Sequence, residues 1–259
     1  METPLYQIDA FSDRPFSGNP AGVCPLDAWL GDSVMQSIAA ENNLPETAFF
    51  VKNDDGYDLR WFTPAVEIEL CGHATLASAF VIMNYIDSKT PEVVFSTKSG
   101  ELRVRRENDL FTMDFPSQPA EPCDTPGDLV AGLGINPKEV LKSEDYLVVV
   151  EDEADVRTGT PDFERLKRLD LRGIIVTAPG SDADFVSRFF APGIGINEDP
   201  VTGSSHCTLI PYWSKRLGKK KMHALQLSKR GGELFCEMRQ DRVLIAGRCA
   251  LYMKGTITL

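Results

Sequence analysis

The chain has 259 residues, 42% hydrophobic and 25% charged, which is room for one large domain or two ordinary ones and the profile of a soluble globular protein. A formal net charge of −11 disfavours a nucleic-acid or anionic-membrane partner, because the long-range field repels both. Six cysteines form no CxxC pair, and the N-terminus METPLYQIDAF has no basic or apolar leader pattern, so the expectation is a cytoplasmic protein with reduced thiols.

YQIDAF (6–11) alternates as a strand, and DSVMQSIAAENN (32–43) carries apolar residues at helical spacing with Asp32 or Ser33 placed to cap it. ETAFFVK (46–52), YDLRWFT (57–63), VVFSTKS (93–99), ELRVRRE (101–107) and LFTMDFP (110–116) read as strands. The apolar run LASAFVIM (76–83) is too short to span a bilayer. PSQPAEPCDTPGD (116–128) breaks the pattern and reads as a linker. Beyond it come a strand in YLVVVE (146–151), a helix in PDFERLKRL (161–169), a buried strand in GIIVTAP (173–179) and an interrupted helix in SSHCTLIPYWSKRLG (204–218). Five of the ten residues in SKRLGKKKMH (214–223) are basic, which reads as a solvated helix end. The last fifty residues return to strands.

One pattern occurs twice. Arg60-Trp61-Phe62-Thr63-Pro64 precedes Gly72 and a helix; Arg188-Phe189-Phe190-Ala191-Pro192 precedes Gly203 and a helix, 128 positions later. This suggests a strand–loop–helix unit used in two similar domains. CGHAT (71–75) and TGSSH (202–206) then fall in equivalent places, each putting glycine at a first helical turn. Free backbone N–H groups and the helix dipole can hold an anion there, and glycine leaves the backbone open to a ligand. Two such starts facing one cleft would grip a small carboxylate from both sides.

His73 lies in a first turn, where the dipole favours a neutral imidazole. Asp199, in DPVTGS, can orient a histidine, accept from substrate or cap its own loop. Glu46, where a helix has ended and an apolar strand begins, is a candidate base that residue logic alone leaves as a strand-end glutamate. A zinc site from Cys71, His73, His206 and Cys207 fits structural-zinc spacing poorly. A two-thiol racemase lacks its second thiol, because Thr202 stands before Gly203 where Cys71 stands before Gly72. No GxGxxG after a strand, GxxxxGK[ST], GxSxG or HExxH is present.

FSGNPAGV (16–23), ENNLPETAFF (41–50), LRWFTPAVEIELCGHATLASA (59–79) and NEDPVTGSSH (197–206) resemble the PhzF-like phenazine-biosynthesis isomerase family of the diaminopimelate-epimerase-fold superfamily, over essentially the whole chain. The resemblance implies an α+β fold of two similar domains, each a β-barrel wrapped around a central helix, with the active site in the interdomain cleft. Residues 1–116 would form the first domain, with the tail 250–259 able to join it, and 117–249 the second. It implies a homodimeric isomerase with no cofactor or metal, acting on a small carboxylate. On that pattern Glu46 resembles the general acid/base, His73 and Asp199 resemble its catalytic partners, and Gly72, Gly203 and Ser204 resemble carboxylate-binding groups. The superfamily's racemases carry asparagine where His73 stands and cysteine where Thr202 stands. The alternatives are a racemase or epimerase using Cys71, and a non-catalytic carboxylate-binding protein.

Overall fold

The structure, a computed structural model, describes residues 2–259 and divides into two compact units. One takes the chain up to Asp114 together with Ala246–Leu259; the other is Phe115–Ile245. The architecture is α+β, with long antiparallel runs of strand and few helices. No helix of the described residues is long and apolar enough to cross a membrane, and all six cysteines are free.

In the first unit the strand Glu2–Ala10 lies antiparallel to both Asn19–Leu26 and Cys249–Thr258, so the end of the chain returns to pair with its beginning. Asn19–Leu26 runs parallel to Glu46–Lys52, which pairs antiparallel with Tyr57–Phe62. Glu92–Thr97, Gly100–Glu107 and Leu110–Pro116 form a meander. The helix Gly72–Val81 packs against Glu2–Ala10, Asn19–Leu26, Glu46–Lys52, Gly100–Glu107 and Cys249–Thr258. Every residue from His73 to Ala79 is buried, as is Val81. A helix that touches strands all round needs small side chains, and Ala74, Ala77, Ser78 and Ala79 provide them. Its two buried hydroxyls bond inside the helix, Thr75 Oγ1 to Cys71 O at 2.6 Å and Ser78 Oγ to Ala74 O at 2.8 Å.

In the second unit Glu139–Lys142, Tyr146–Val149, Ile174–Pro179 and Phe185–Ala191 are neighbours in that order, with one parallel pairing between the second and third. Phe185–Ala191 also pairs with Ile196–Asp199 and, in parallel, with Lys221–Gln226, which continues antiparallel into Gly232–Arg239. The Pro-rich stretch is fastened to this unit: Ser117 N donates to Asp241 O, and Glu121–Pro122 pairs with Leu141 and Lys142.

Three local expectations are corrected. The helix Gly203–Leu217 runs unbroken through Pro211. Proline removes the bond to the carbonyl four residues back, and that carbonyl, Cys207 O, instead accepts from Gln118 N at 2.9 Å. Neither Asp32 nor Ser33 caps the helix Asp32–Asn42; Gly31 stands at its N-cap, and Asp32 pairs with Arg60 at 2.9 Å. The helix expected over 161–169 is only Phe163–Leu166, capped by Asp162, whose side chain accepts from Glu164 N and Arg165 N.

The repeated RΦFxP pattern builds the same pair in both units. Arg60 grips Glu67 with two bonds, 2.8 and 2.9 Å, and lies 5.2 Å over the Phe62 ring. Arg188 grips Glu198 with two bonds, 2.7 and 3.0 Å, and lies 4.8 Å over the Phe190 ring. Each clamp joins a strand to the short strand hydrogen-bonded beside it, just before a glycine-led helix.

Overpacking tests the central helix of the first unit. Ala77→Leu lowers the unfolding free energy by about 1–3 kcal/mol in urea titration; an unchanged midpoint and slope would remove the tight approach of strands to this helix.

Candidate functional site

Both glycine-led helices begin without a side-chain cap. Cys71 stands at the N-cap of the Gly72 helix and Thr202 at that of the Gly203 helix, both extended, and neither side chain bonds to the helix start. Threonine is a good capping residue, but here its hydroxyl donates to Asp199 Oδ2 at 2.5 Å. The first-turn N–H donors are therefore left to other partners. Neither glycine is required by φ. A Cβ at Gly203 would meet no atom within 4 Å, and one at Gly72 only Met113 Cε at 3.8 Å. Packing within the protein does not demand glycine at these two positions.

In the first unit Glu46, His73 and Cys71 come together. Glu46 opens the strand Glu46–Lys52, and its carboxylate Oε2 lies 3.1 Å from His73 Nε2. Glu46 is 9% exposed and His73 7%. The two atoms are close but not aligned, so neither has a directed hydrogen bond among the described residues. Cys71 Sγ lies 3.5 Å from His73 Nδ1 on the other edge of the ring. Burial opposes charge on His73, but negative charge on Cys71 and Glu46 outweighs it and holds the imidazole well above its ordinary value. Burial, with Glu46 beside it, pushes the Cys71 thiol up. Cys71 is thus a weaker acid than a free thiol, and the Glu46 carboxylate 3.1 Å away is the second negative group facing the imidazole. The sequence expectation of a neutral His73 is corrected by magnitude. A helix terminus is worth about 0.3–1 kcal/mol, against about 4 kcal/mol for two charges 4 Å apart at an effective dielectric of about 20. Donor atoms of Glu46, Cys71 and His73 lie within 4.8 Å of one another, close enough for a shared cation. Two of the three would first have to give up a proton, which makes the group better suited to handling protons.

In the second unit Asp199, Thr202 and Gln226 form a knot. Gln226, fully buried, accepts from Thr202 N at 2.9 Å and donates to Asp199 O at 2.9 Å and Thr202 Oγ1 at 3.2 Å. His206 Nδ1 lies 2.8 Å from Thr202 O, and burial drops its pKa to about 4, so Nδ1 carries the proton and donates. Ser204, the second helical residue, accepts from Arg172 at 3.1 Å.

The structure thus brings Glu46, Gly72 and His73 together in one unit, and Asp199, Gly203 and Ser204 in the other. Sequence reading did not single out Gln226. Its signal is alternation: Met222, Ala224 and Gln226 share the inward register of one strand, and an amide in that register needs partners.

The phenazine biosynthesis-like family model matches residues 8–255, and the chain belongs to that family. An uncharacterized isomerase of Pseudomonas aeruginosa is 57% identical over 259 residues, covering the whole of both chains. A PhzF-family crystal structure from Enterococcus faecalis matches with a TM-score of 0.98 at 48% identity, again over all of both chains. A hydroxyproline epimerase from Agrobacterium vitis shares the fold, with a TM-score of 0.62 at 11% identity over 99% of this chain and 92% of the other. The protein is an enzyme of the isomerase class.

The Glu46–His73 pair has a pH signature. The folded pKa of His73 lies above the ordinary 6.5, so its contribution to stability is whole below 6.5 and is lost as pH rises through the raised value. In NMR titration His73 stays charged above pH 6.5, and Glu46→Gln brings its pKa down because one of the two negative groups opposing burial is lost. A His73 titrating at or below 6.5 in the unaltered protein would contradict the assignment.

Proposed function

We propose that the protein catalyses an intramolecular proton shift on a small unsaturated or amino-substituted carboxylate, with Glu46 as the single acid/base. The observation that carries this reading is Glu46 Oε2 beside His73 Nε2, two buried atoms with no aligned protein partner among the described residues. A carboxylate oxygen buried without an aligned protein donor is placed to take a proton from carbon. The C–H electron pair passes into the adjoining unsaturated system, Glu46 holds the proton, and the same carboxyl returns it to another carbon. Formula and charge are unchanged. His73, kept protonated, donates through Nε2 to the negative charge that develops on the substrate and keeps its own proton. The uncapped N–H groups after Cys71 receive the substrate carboxylate. Roles for Asp199, Gly203 and Ser204 in the same turnover complete the proposal and rest on their sequence pattern and their own uncapped helix start. We extend the proposal to a cytoplasmic homodimer needing no metal or cofactor; a single 28.6 kDa species in sedimentation would remove the dimer.

Two other readings remain distinct. Racemisation through Cys71 is favoured by its 3.5 Å approach to His73, but a thiol pushed up by burial is a poor base at neutral pH. A binding protein would hold carboxylates without moving protons.

In deuterated water with a panel of small carboxylates, the unaltered protein incorporates label. Glu46→Gln lowers that exchange by about 100- to 10,000-fold while binding stays measurable, and Cys71→Ala loses only a modest part. Undiminished exchange in Glu46→Gln, or an inactive Cys71→Ala, transfers the role to the thiol. No exchange with any acid leaves the binding protein.

A further inference from the structure

Two strands of the second unit end tip to tip on one edge of a third. Ile174–Pro179 covers one edge of Phe185–Ala191, so the pairings of Phe189 with Asp199 and of Ser187 with Gln226 lie on the other. The fully buried amide of Gln226 bridges the two tips. Its Oε1 accepts from Thr202 N at 2.9 Å, and its Nε2 donates to Asp199 O at 2.9 Å. One side-chain amide thus stands in for a peptide unit, with one acceptor and one donor used where the ladder is interrupted. Thr202 is held from its other side as well, because its carbonyl accepts from Ser205 Oγ and His206 Nδ1, each at 2.8 Å.

These bonds fix the direction of every proton along a short chain. Only an amide oxygen can accept from Thr202 N, which sets the orientation of the Gln226 amide. Nε2 then faces Thr202 Oγ1 at 3.2 Å and can only donate to it. The Thr202 hydroxyl must send its own proton elsewhere, and Asp199 Oδ2 lies 2.5 Å away. That length belongs to a hydroxyl bonded to a charged oxygen. A proton carried on Oδ2 would face the hydroxyl proton head-on. We propose that Gln226 is a positioning residue: through Thr202 it fixes Asp199 Oδ2 as an acceptor and so confines the reactive part of Asp199 to Oδ1. This rests on the reading above that gives Asp199 a part in turnover. Gln226 acts through Thr202 and does not meet the substrate. A purely structural amide would join the strand tips and be indifferent to which oxygen Asp199 uses.

Thr202→Val removes the hydroxyl and leaves both bonds from Gln226 to the backbone in place, whereas Thr202→Ser keeps the hydroxyl. With crotonate, itaconate and proline as probes in deuterated water, Thr202→Val lowers kcat for label exchange roughly tenfold or more and leaves KM nearly unchanged, as for loss of a hydrogen bond to a charged group. Thr202→Ser recovers the rate. Gln226→Met lowers kcat in the same way, and because it works through Thr202 the double variant is no slower than about the slower single one. A second readout needs no ligand. By NMR the Thr202 hydroxyl proton of the unaltered protein exchanges with water roughly tenfold or more slowly than that of Gln226→Met. Should Gln226→Met fail to fold, Gln226→Glu takes its place, because it keeps the acceptor for Thr202 N and loses only the donor. Full exchange activity in Thr202→Val, losses that multiply in the double variant, or a hydroxyl proton that the Gln226 variant leaves equally slow overturns the proposal. Glu46→Gln keeps the slow hydroxyl proton, so if no probe exchanges label the proton-shift reading fails and the hydroxyl alone decides this one.

Discussion

A buried helix must still satisfy the donors of its first turn, and that constraint organises this protein. The Gly72 helix is enclosed by strands on every side, and the buried residues of the Gly203 helix begin at its first residue. Backbone N–H groups out of reach of water are costly unless paired. The side chains best placed to pair them do not. Cys71 is a weak acceptor turned to His73, and the Thr202 hydroxyl is committed to Asp199. The glycine that follows each cap has no neighbour that would forbid a side chain. A structural role would favour a capping hydroxyl and a better helix former than glycine at these starts. Their joint neglect is the feature that the proposed carboxylate grip uses.

The two units reach this condition by the same local device. An arginine stacked on a phenylalanine and forked onto a glutamate ties a core strand to the short strand beside it, before the chain turns into the helix. In the second unit Arg188 also donates to the carbonyls of Val156 and Gly159, extending the clamp to the C-terminal end of the helix Glu153–Thr158. Arg188 and Glu198 are only 12% and 22% exposed in their side chains. Half-buried charges require such partners, and planar, two-point pairing fixes direction as well as distance. The clamp thus sets where each helix begins.

How much of this was legible in the sequence follows the range of the interactions. Strands such as 46–52 and 57–63 read directly, because short runs of aromatic and β-branched residues are a local signal, whether the strand is buried on both faces, as 46–50 is, or alternates, as 57–60 does. The repeated RΦFxP pattern marked the two units, but the clamp partners Glu67 and Glu198 lie outside it and were not singled out. The helix through Pro211 did not read as continuous, because the rescue comes from Gln118, far away in the chain. His73 was read with its own helix in view and the wrong charge resulted; the deciding neighbour, Glu46, lies on another element. Glu46 itself was indistinguishable from a surface glutamate until the family resemblance marked it. The Asp145–Arg172–Ser204 chain joins three separate segments and offered no pattern at all.

The equivalent helix starts are furnished with different chemistry, and the difference has a physical logic. One has a carboxylate and an imidazole close but unaligned, of which the proposed reaction uses the carboxylate to carry the proton and the imidazole to donate a hydrogen bond. The other has a guanidinium, which does not give up its proton, and a histidine held neutral by burial, with its pKa near about 4. A group that shuttles protons must have a pKa within reach of the surrounding pH, whereas a group that only holds an anion is better with a permanent charge. Duplicating a helix start supplies two anion grips; substituting only the side chains around one of them converts a grip into a reactive centre. The Cys71/Thr202 difference fits the same division, because replacing a thiol by a hydroxyl at the second start removes a usable acid/base group while keeping a hydrogen-bonding one. Under the proposed single-base proton transfer only one start has to be reactive, and the side chains at the two starts differ in that sense.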